Sequence, residues 1–509
     1  MVSKILSATT IGIEARQIEI EVYIARGLPA VTIVGLPDIA IRESRDRVKA
    51  AIKNSQYNYP SQRITVNLAP CDIKKEGACF DLPIAIGILA ATGDISSKNI
   101  QDFVFLGELA LNGRIRPVKG ALPIAMSLKN SQKKLILPEE NAYETSIVRD
   151  IEIYPVKTLN EVCDFLNGKN SLVPLPPDIK ICMENNYNCG LDFSDVKGQV
   201  YAKRAMEIAA AGGHNIIMIG PPGSGKTMLA KRLPTIMPDM TFEESIETTK
   251  IYSVMGLIPA KSPIINTRPF RSPHHTSSYA ALVGGGNIPK PGEVSMSHNG
   301  VLFMDELPEF HRNVLEALRQ PLEDNYITVS RANGSIRFPS KFMLVCAMNP
   351  CPCGFLTDPK KECHCPPLRI QKYLSKISGP LLDRIDIHIE VPPAKYKELS
   401  DETICENSEA IKERVLAARK IQLARFKEDK IFANSQMDHK LVREYCRLDN
   451  PSRELLKSAI TELGFSARCY DKILKVARTI ADLGGRENIE PDHMCEAIQY
   501  RSLDRNMWV

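Results

Sequence analysis

The chain has 509 residues, a formal net charge of +5, and apolar and charged fractions of 44% and 25%. That is the balance of a globular protein with room for roughly three domains, and its charge permits a polyanionic partner without demonstrating one. No apolar run reaches about 18 residues and no signal-peptide order opens the chain, so the expectation is a soluble, cytoplasmic protein without a membrane segment. Fourteen cysteines in such a chain argue for reduced thiols or a metal site, not for a disulfide framework.

Residues 1–167 alternate strand-like runs at Ile18–Val22, Ala30–Val34 and Arg63–Asn67 with helical stretches at about 38–54, 80–92 and 120–130. This predicts an α+β domain without evident catalytic pairing. Residues 168–190 are rich in Pro, Asn and Gly, with Val173-Pro174-Leu175-Pro176-Pro177 at their start, and read as a linker. A second domain is expected over 191–395, closed by Val391-Pro392-Pro393. The remainder, 396–509, carries 3.6-residue periodicity at 409–428, 438–447, 451–463, 467–483 and 491–501 with no strand signal, and predicts a small helical domain.

Within the second domain, Asn215–Ile219 reads as a buried strand and Met228–Leu233 as the opening of a helix. Between them lies Gly220-Pro221-Pro222-Gly223-Ser224-Gly225-Lys226-Thr227. Strand, glycine loop and helix in that order form a phosphate-binding loop. The glycines let successive N–H groups turn inward, Lys226 reaches the terminal phosphates, and the Thr227 hydroxyl ligates Mg²⁺. ATP and Mg²⁺ are the implied ligands.

Further along, Val301–Met304 forms an apolar strand ending in Asp305 and Glu306. Behind a phosphate loop, Asp305 suits the Mg²⁺ hydration shell and Glu306 the activation of water. A third strand, Phe342–Met348, ends at Asn349, a polar side chain suited to sensing the γ-phosphate. Asp383-Arg384-Ile385-Asp386 offers Arg384 as an arginine finger for a neighbouring subunit; from spacing alone, a surface ion pair with Asp383 or Asp386 is the stronger reading. Arg468, opening a strongly patterned helix, is a second cation for phosphates.

Gln199 in Asp195–Gln199, the phosphate loop, Asp305, Glu306, Asn349, Arg384 and Arg468 follow the order of an AAA+ ATPase. Four stretches, Ala209–Asn215, Arg268–His275, Pro289–Glu293 and Ser378–Asp386, resemble the Mg-chelatase-like YifB/ComM family over nearly the whole chain. The resemblance implies an α/β AAA+ core of the helix-2-insert kind, a Lon-protease-like N-terminal domain and a C-terminal helical lid. It also implies a homo-hexameric ring hydrolysing ATP while acting on DNA, in branch migration during natural transformation or recombination. Gln199 joins the nucleotide-binding residues on that ground. The alternative is a chelatase-like or protein-remodelling subunit with a protein client. The chain has no D-x-S-x-S metal-binding motif of the partner that metal insertion needs.

A Lon-type Ser-Lys dyad is not supplied. Cys79 stands near the nucleophile position and Leu122 where the lysine belongs, so protease activity is not expected. Cys351, Cys353, Cys363 and Cys365 suit tetrahedral Zn²⁺, although C-x-C spacing leaves a thiol-rich loop equally open. Asn325–Phe338 reads as a hairpin turning at Ala332-Asn333-Gly334. Its Arg331 and Arg337, with Lys341, Arg268, Arg271, His274 and His275, are the candidate DNA-facing cations.

Overall fold

The computed structural model describes residues 2–96, 98–177, 190–259, 263–286, 289–331, 334–356, 358, 361–393, 405–429, 431–463 and 466–503. Most of the expected linker (178–189), the boundary expected near 395, and the hairpin tip at Ala332 and Asn333 lie outside these residues. The chain forms two compact units: Met1–Asn185 with Thr241–Asn266, and Asn186–Met240 with Thr267–Val509.

The first unit is built on a seven-stranded sheet. In chain order its strands are β1 (Val2–Ile11), β2 (Glu14–Ala25), β3 (Ala30–Val34), β4 (Arg63–Ala69), β5 (Phe103–Phe105), β6 (Lys134–Pro138) and β7 (Ile153–Val156), arranged β3-β4-β2-β1-β5-β6-β7. Ile18, Ile20 and Val22 of β2 are fully buried while Glu19 and Glu21 face outward, the period-two pattern of a half-buried strand. Helix α1 (Ile39–Asn54) starts at Asp38, whose carboxylate accepts from Ile41 N. Helix α2 (Asp81–Thr92) is buried along most of its length and stops at Gly93, φ 89°.

Segment Thr241–Asn266 lies in sequence inside the expected 191–395 domain, yet it packs with this first unit. Its helix, Phe242–Met255, begins with a Thr241/Glu244 capping box. Ser253 O accepts from Gly120 N at 3.0 Å, and Ser253 Oγ donates to buried Glu144 at 2.6 Å. Burial raises the Glu144 carboxyl, against the pull of Ser253 and Asn141.

The second unit carries a five-stranded parallel sheet. Its strands are β8 (Ile216–Ile219), β9 (Phe270–Arg271), β10 (Val301–Met304), β13 (Met343–Met348) and β14 (Ile387–Glu390), ordered β9-β10-β13-β8-β14. Every residue of β8, β10 and β13 is buried, which explains their unbroken apolar spelling. An antiparallel ribbon of β11 (Tyr326–Arg331) and β12 (Gly334–Pro339) precedes β13. Helices α3 (Val200–Gly212) and α4 (Lys226–Ile236) flank β8. The C-terminal helices are α5 (Ser408–Arg425), α6 (His439–Tyr445), α7 (Asn450–Leu463), α8 (Ala467–Leu483) and α9 (Pro491–Gln499), and they share the hydrophobic core of the sheet. The expected periodicities thus correspond to helices with ends shifted by a few residues.

Asn215 locks the entry to β8. Its Oδ1 accepts from Leu344 N at 2.8 Å, its Nδ2 donates to Arg384 O at 3.1 Å, and its backbone N donates to Asp386 Oδ2 at 3.0 Å. The carboxyl ends of β8, β10 and β13 therefore lie side by side, and Gly220, Asp305 and Asn349 are the residues that follow them.

Candidate nucleotide site

The phosphate loop uses its glycines in two ways. Gly223 and Gly225 have φ of 78° and 90°, and a Cβ added to either meets nothing within 4 Å, so both face an open concavity. A Cβ on Gly220 would instead fall 2.1 Å from Val391 O, because β14 passes close by. Helix α4 then begins without a side-chain cap at Gly225, leaving first-turn N–H groups for an anion. These features fit a nucleotide triphosphate.

Lys226 is 8% exposed. Its Nζ donates to Gly220 O at 2.7 Å, Pro221 O at 2.9 Å and Asn349 Oδ1 at 3.4 Å. Burial pushes its ammonium down to about 8, against the pull of Asp305. Thr227 Oγ1 donates to Asp305 Oδ2 at 2.7 Å, and Glu306 N donates to Asp305 Oδ1 at 3.0 Å. The residues around the loop fit Mg²⁺, with Thr227 and Asp305 as its oxygen donors; bound there, the ion would neutralise phosphate charge. Gln199, itself left-handed at φ 56°, donates through Nε2 to Pro392 O at 2.6 Å and Ser224 O at 3.4 Å, clasping the loop to the end of β14.

Three models of magnesium chelatase families match successive parts of the chain: subunit ChlI of Mg-chelatase over 20–141, magnesium chelatase subunit ChlI over 192–399, and its C-terminal part over 405–501. Competence protein ComM of Haemophilus influenzae is 46% identical over 508 residues, covering 98% of this chain and 97% of that one. Escherichia coli YifB is 43% identical over 498 residues, covering 97% and 96%. The chain belongs to the YifB/ComM family of Mg-chelatase-like AAA+ proteins. Lon protease 2 of Bacillus subtilis is 30% identical over 165 residues, or 29% of this chain and 29% of that protein. This YifB/ComM member is thus an α/β protein with a parallel-sheet AAA+ core, Lon-like similarity toward the N-terminus and a helical C-terminal region, of an ATPase family that uses ATP and Mg²⁺.

The structure brings Lys226, Thr227, Asp305, Glu306 and Asn349 to one edge of the sheet. Glu306 is exposed, and its left-handed backbone, φ 53°, is uncommon for a side chain of that kind. His275 Nδ1 stands 3.3 Å from Glu306 Oε2, and the His274 ring lies tilted against it at 33°, 4.1 Å between ring centroids. No local sequence signal pairs His275 with Glu306, since the two are joined only by folding.

Arg384 and Arg468 lie elsewhere. Arg384 is 8% exposed and pairs with Glu323, not with Asp383 or Asp386; Arg468 Nη2 approaches the same Glu323 carboxylate at 3.7 Å. Asp386 is taken by Lys472 at 2.6 Å and His214 at 3.6 Å.

Two of the candidate DNA-facing cations are committed internally. Arg271 makes a two-pronged pair with Glu293 at 2.6 and 2.7 Å. Arg268 donates to the carbonyls of Pro238, Asn299 and Asp239. Arg331 and Arg337 remain exposed on the β11/β12 ribbon, Arg337 resting 4.8 Å over the Tyr326 ring, while Lys341 lies 4.6 Å over Phe432. In the N-terminal unit, burial pushes the Cys79 thiol up to about 12, and Leu122 is fully buried. A thiol so protonated is no nucleophile at neutral pH.

Proposed function

We propose that this protein is an ATP-driven motor that acts on DNA as a homo-hexameric ring, moving branch points during natural transformation or recombination. One observation carries the reading. Lys226, Thr227, Asp305, Glu306 and Asn349 assemble at the phosphate loop, while Arg384 and Arg468 turn to Glu323 of their own chain. A neighbouring copy then supplies the guanidinium that phosphoryl transfer needs.

The chemistry assigned to this chain's residues is limited. Lys226 and the loop N–H groups hold the triphosphate. Glu306 orients and polarises the attacking water, and Asn349 reports the γ-phosphate to β13. His275 is close enough to hold the Glu306 carboxylate in place. For the DNA, exposed Arg331 and Arg337 on the ribbon are the phosphate-tracking cations, and the competence role in the name of the Haemophilus relative favours a nucleic-acid substrate.

ATP hydrolysis by wild type and Glu306→Gln, with forked and single-stranded DNA across a salt series, tests the reading. Stimulation by DNA that falls steeply with salt supports the motor. A flat response overturns it and points to a protein client. Full turnover by a strict monomer, with nucleotide and DNA present, overturns the ring.

A further inference from the structure

Just past Asn349 the chain folds four cysteines together. Cys351 Sγ lies 3.3 Å from Cys353 Sγ and 3.6 Å from Cys363 Sγ, and Cys353 and Cys363 are 3.6 Å apart. With Cys365 included, all four sulfurs fall within 4.8 Å of one another. Ligands about 2.3 Å from a tetrahedral Zn²⁺ stand about 3.8 Å from each other, so the 3.3 to 3.6 Å pairs lie slightly inside that spacing, as thiols brought together for one ion would. A disulfide would draw a pair to about 2.0 Å, and an iron–sulfur cluster would spread its thiolates around several irons. Cys351 is fully buried and the other three are half-buried, and four thiolates make up the full ligand count of a structural zinc site.

The same loop rests on the phosphate loop. Gly354, directly after Cys353, has φ of 85°, and a Cβ there would fall 2.6 Å from Pro222 Cδ and 3.8 Å from Asn349 Cγ. Only glycine lets the turn sit so close. We propose that Cys351, Cys353, Cys363 and Cys365 bind one structural Zn²⁺ ion, and that the loaded loop braces the phosphate loop and Asn349 in their nucleotide-binding arrangement. The ion neutralises thiolates that would otherwise repel one another, and it ties the two ends of a long connection together, offsetting part of its ordering entropy. The bracing half rests on the nucleotide reading; the metal half does not.

The test begins with the full chain purified under reducing conditions without chelator. Elemental analysis should find one zinc per chain. Replacement by Co²⁺ should give thiolate-to-cobalt charge transfer and the intense visible bands of a tetrahedral site, with no variant needed. Cys363→Ser/Cys365→Ser should lose both signals. Less than about a tenth of an equivalent of zinc, with cobalt giving only weak octahedral bands, overturns the site. For the brace, stripping zinc from wild type should weaken binding of a fluorescent ATP analogue about tenfold, restored by zinc. Unchanged affinity overturns the brace while the metal count stands. If the zinc-loaded protein binds no nucleotide, the phosphate-loop reading falls and the metal site survives.

Discussion

Thr227 Oγ1 donates to Asp305 Oδ2 at 2.7 Å, closing a contact between residues 78 apart in the chain. The hydroxyl opens α4 and the carboxylate ends β10, so the pair fixes the edge of the sheet at which a divalent ion would sit. We predict that Asp305→Asn keeps nucleotide binding through the loop but loses most response to Mg²⁺. A Mg²⁺ titration of hydrolysis should show a rate roughly a hundredfold lower at saturation. An unchanged titration would remove Asp305 from the metal.

Lys226 spends its hydrogens on Gly220 O and Pro221 O of the glycine loop and on Asn349 Oδ1 at the end of β13. Lys226→Ala should weaken ATP-analogue binding by about a hundredfold or more, the worth of charged hydrogen bonds of about 1.5–3 kcal/mol each. Equilibrium titration checks it.

Because burial lowers the Lys226 ammonium to about 8, nucleotide affinity should depend on pH. Phosphate oxygens raise that value, so binding takes up a proton wherever free Lys226 is neutral. Affinity should be level below about 8 and weaken by up to about tenfold per pH unit above it, until the raised value of the complex is passed. Lys226→Arg should flatten the profile.

The Arg384–Glu323 pair sets a further expectation. Arg384→Ala should bind nucleotide normally and lose about a thousandfold or more in ring-stimulated turnover, the scale of an arginine finger. Glu323→Gln frees the same guanidinium and should leave turnover intact. If Arg384→Ala hydrolyses at the wild-type rate, the trans-finger assignment is wrong.

Asp386 joins Asn215 N, Lys472 and His214 in one buried cluster. Burial by itself would raise its carboxyl; Lys472 and His214 outweigh it and hold the group far below the usual carboxylate range. Its contribution is therefore complete above the unfolded value of about 3.9 and disappears only as pH falls toward the folded one. Asp386→Asn, which leaves Lys472 unpaired, should cost about 3–5 kcal/mol in urea unfolding at neutral pH. A change within error would make the cluster ornamental.

By itself, the sequence determined whatever depends on neighbours along the chain. The strand, glycine loop and helix at 216–236 follow from local dihedral needs. β10 and β13 announce themselves as apolar runs ending in Asp305-Glu306 and Asn349, and α5 through α9 follow from an apolar period of 3.6. The Cys-x-Cys pairs were equally plain to read, but their mutual distances were not. β1, whose burial alternates only in part, gives a weak signal even though it lies mid-sheet. Only the tertiary structure decided that Thr241–Asn266 packs with the N-terminal unit, that Arg268 and Arg271 are tied internally, that Glu323 collects Arg384 and Arg468, and that His275 meets Glu306. The reason is physical. A backbone conformation is chosen by nearby residues, whereas a guanidinium or imidazole has many acceptors of similar worth, and the folded chain alone determines which one comes within reach.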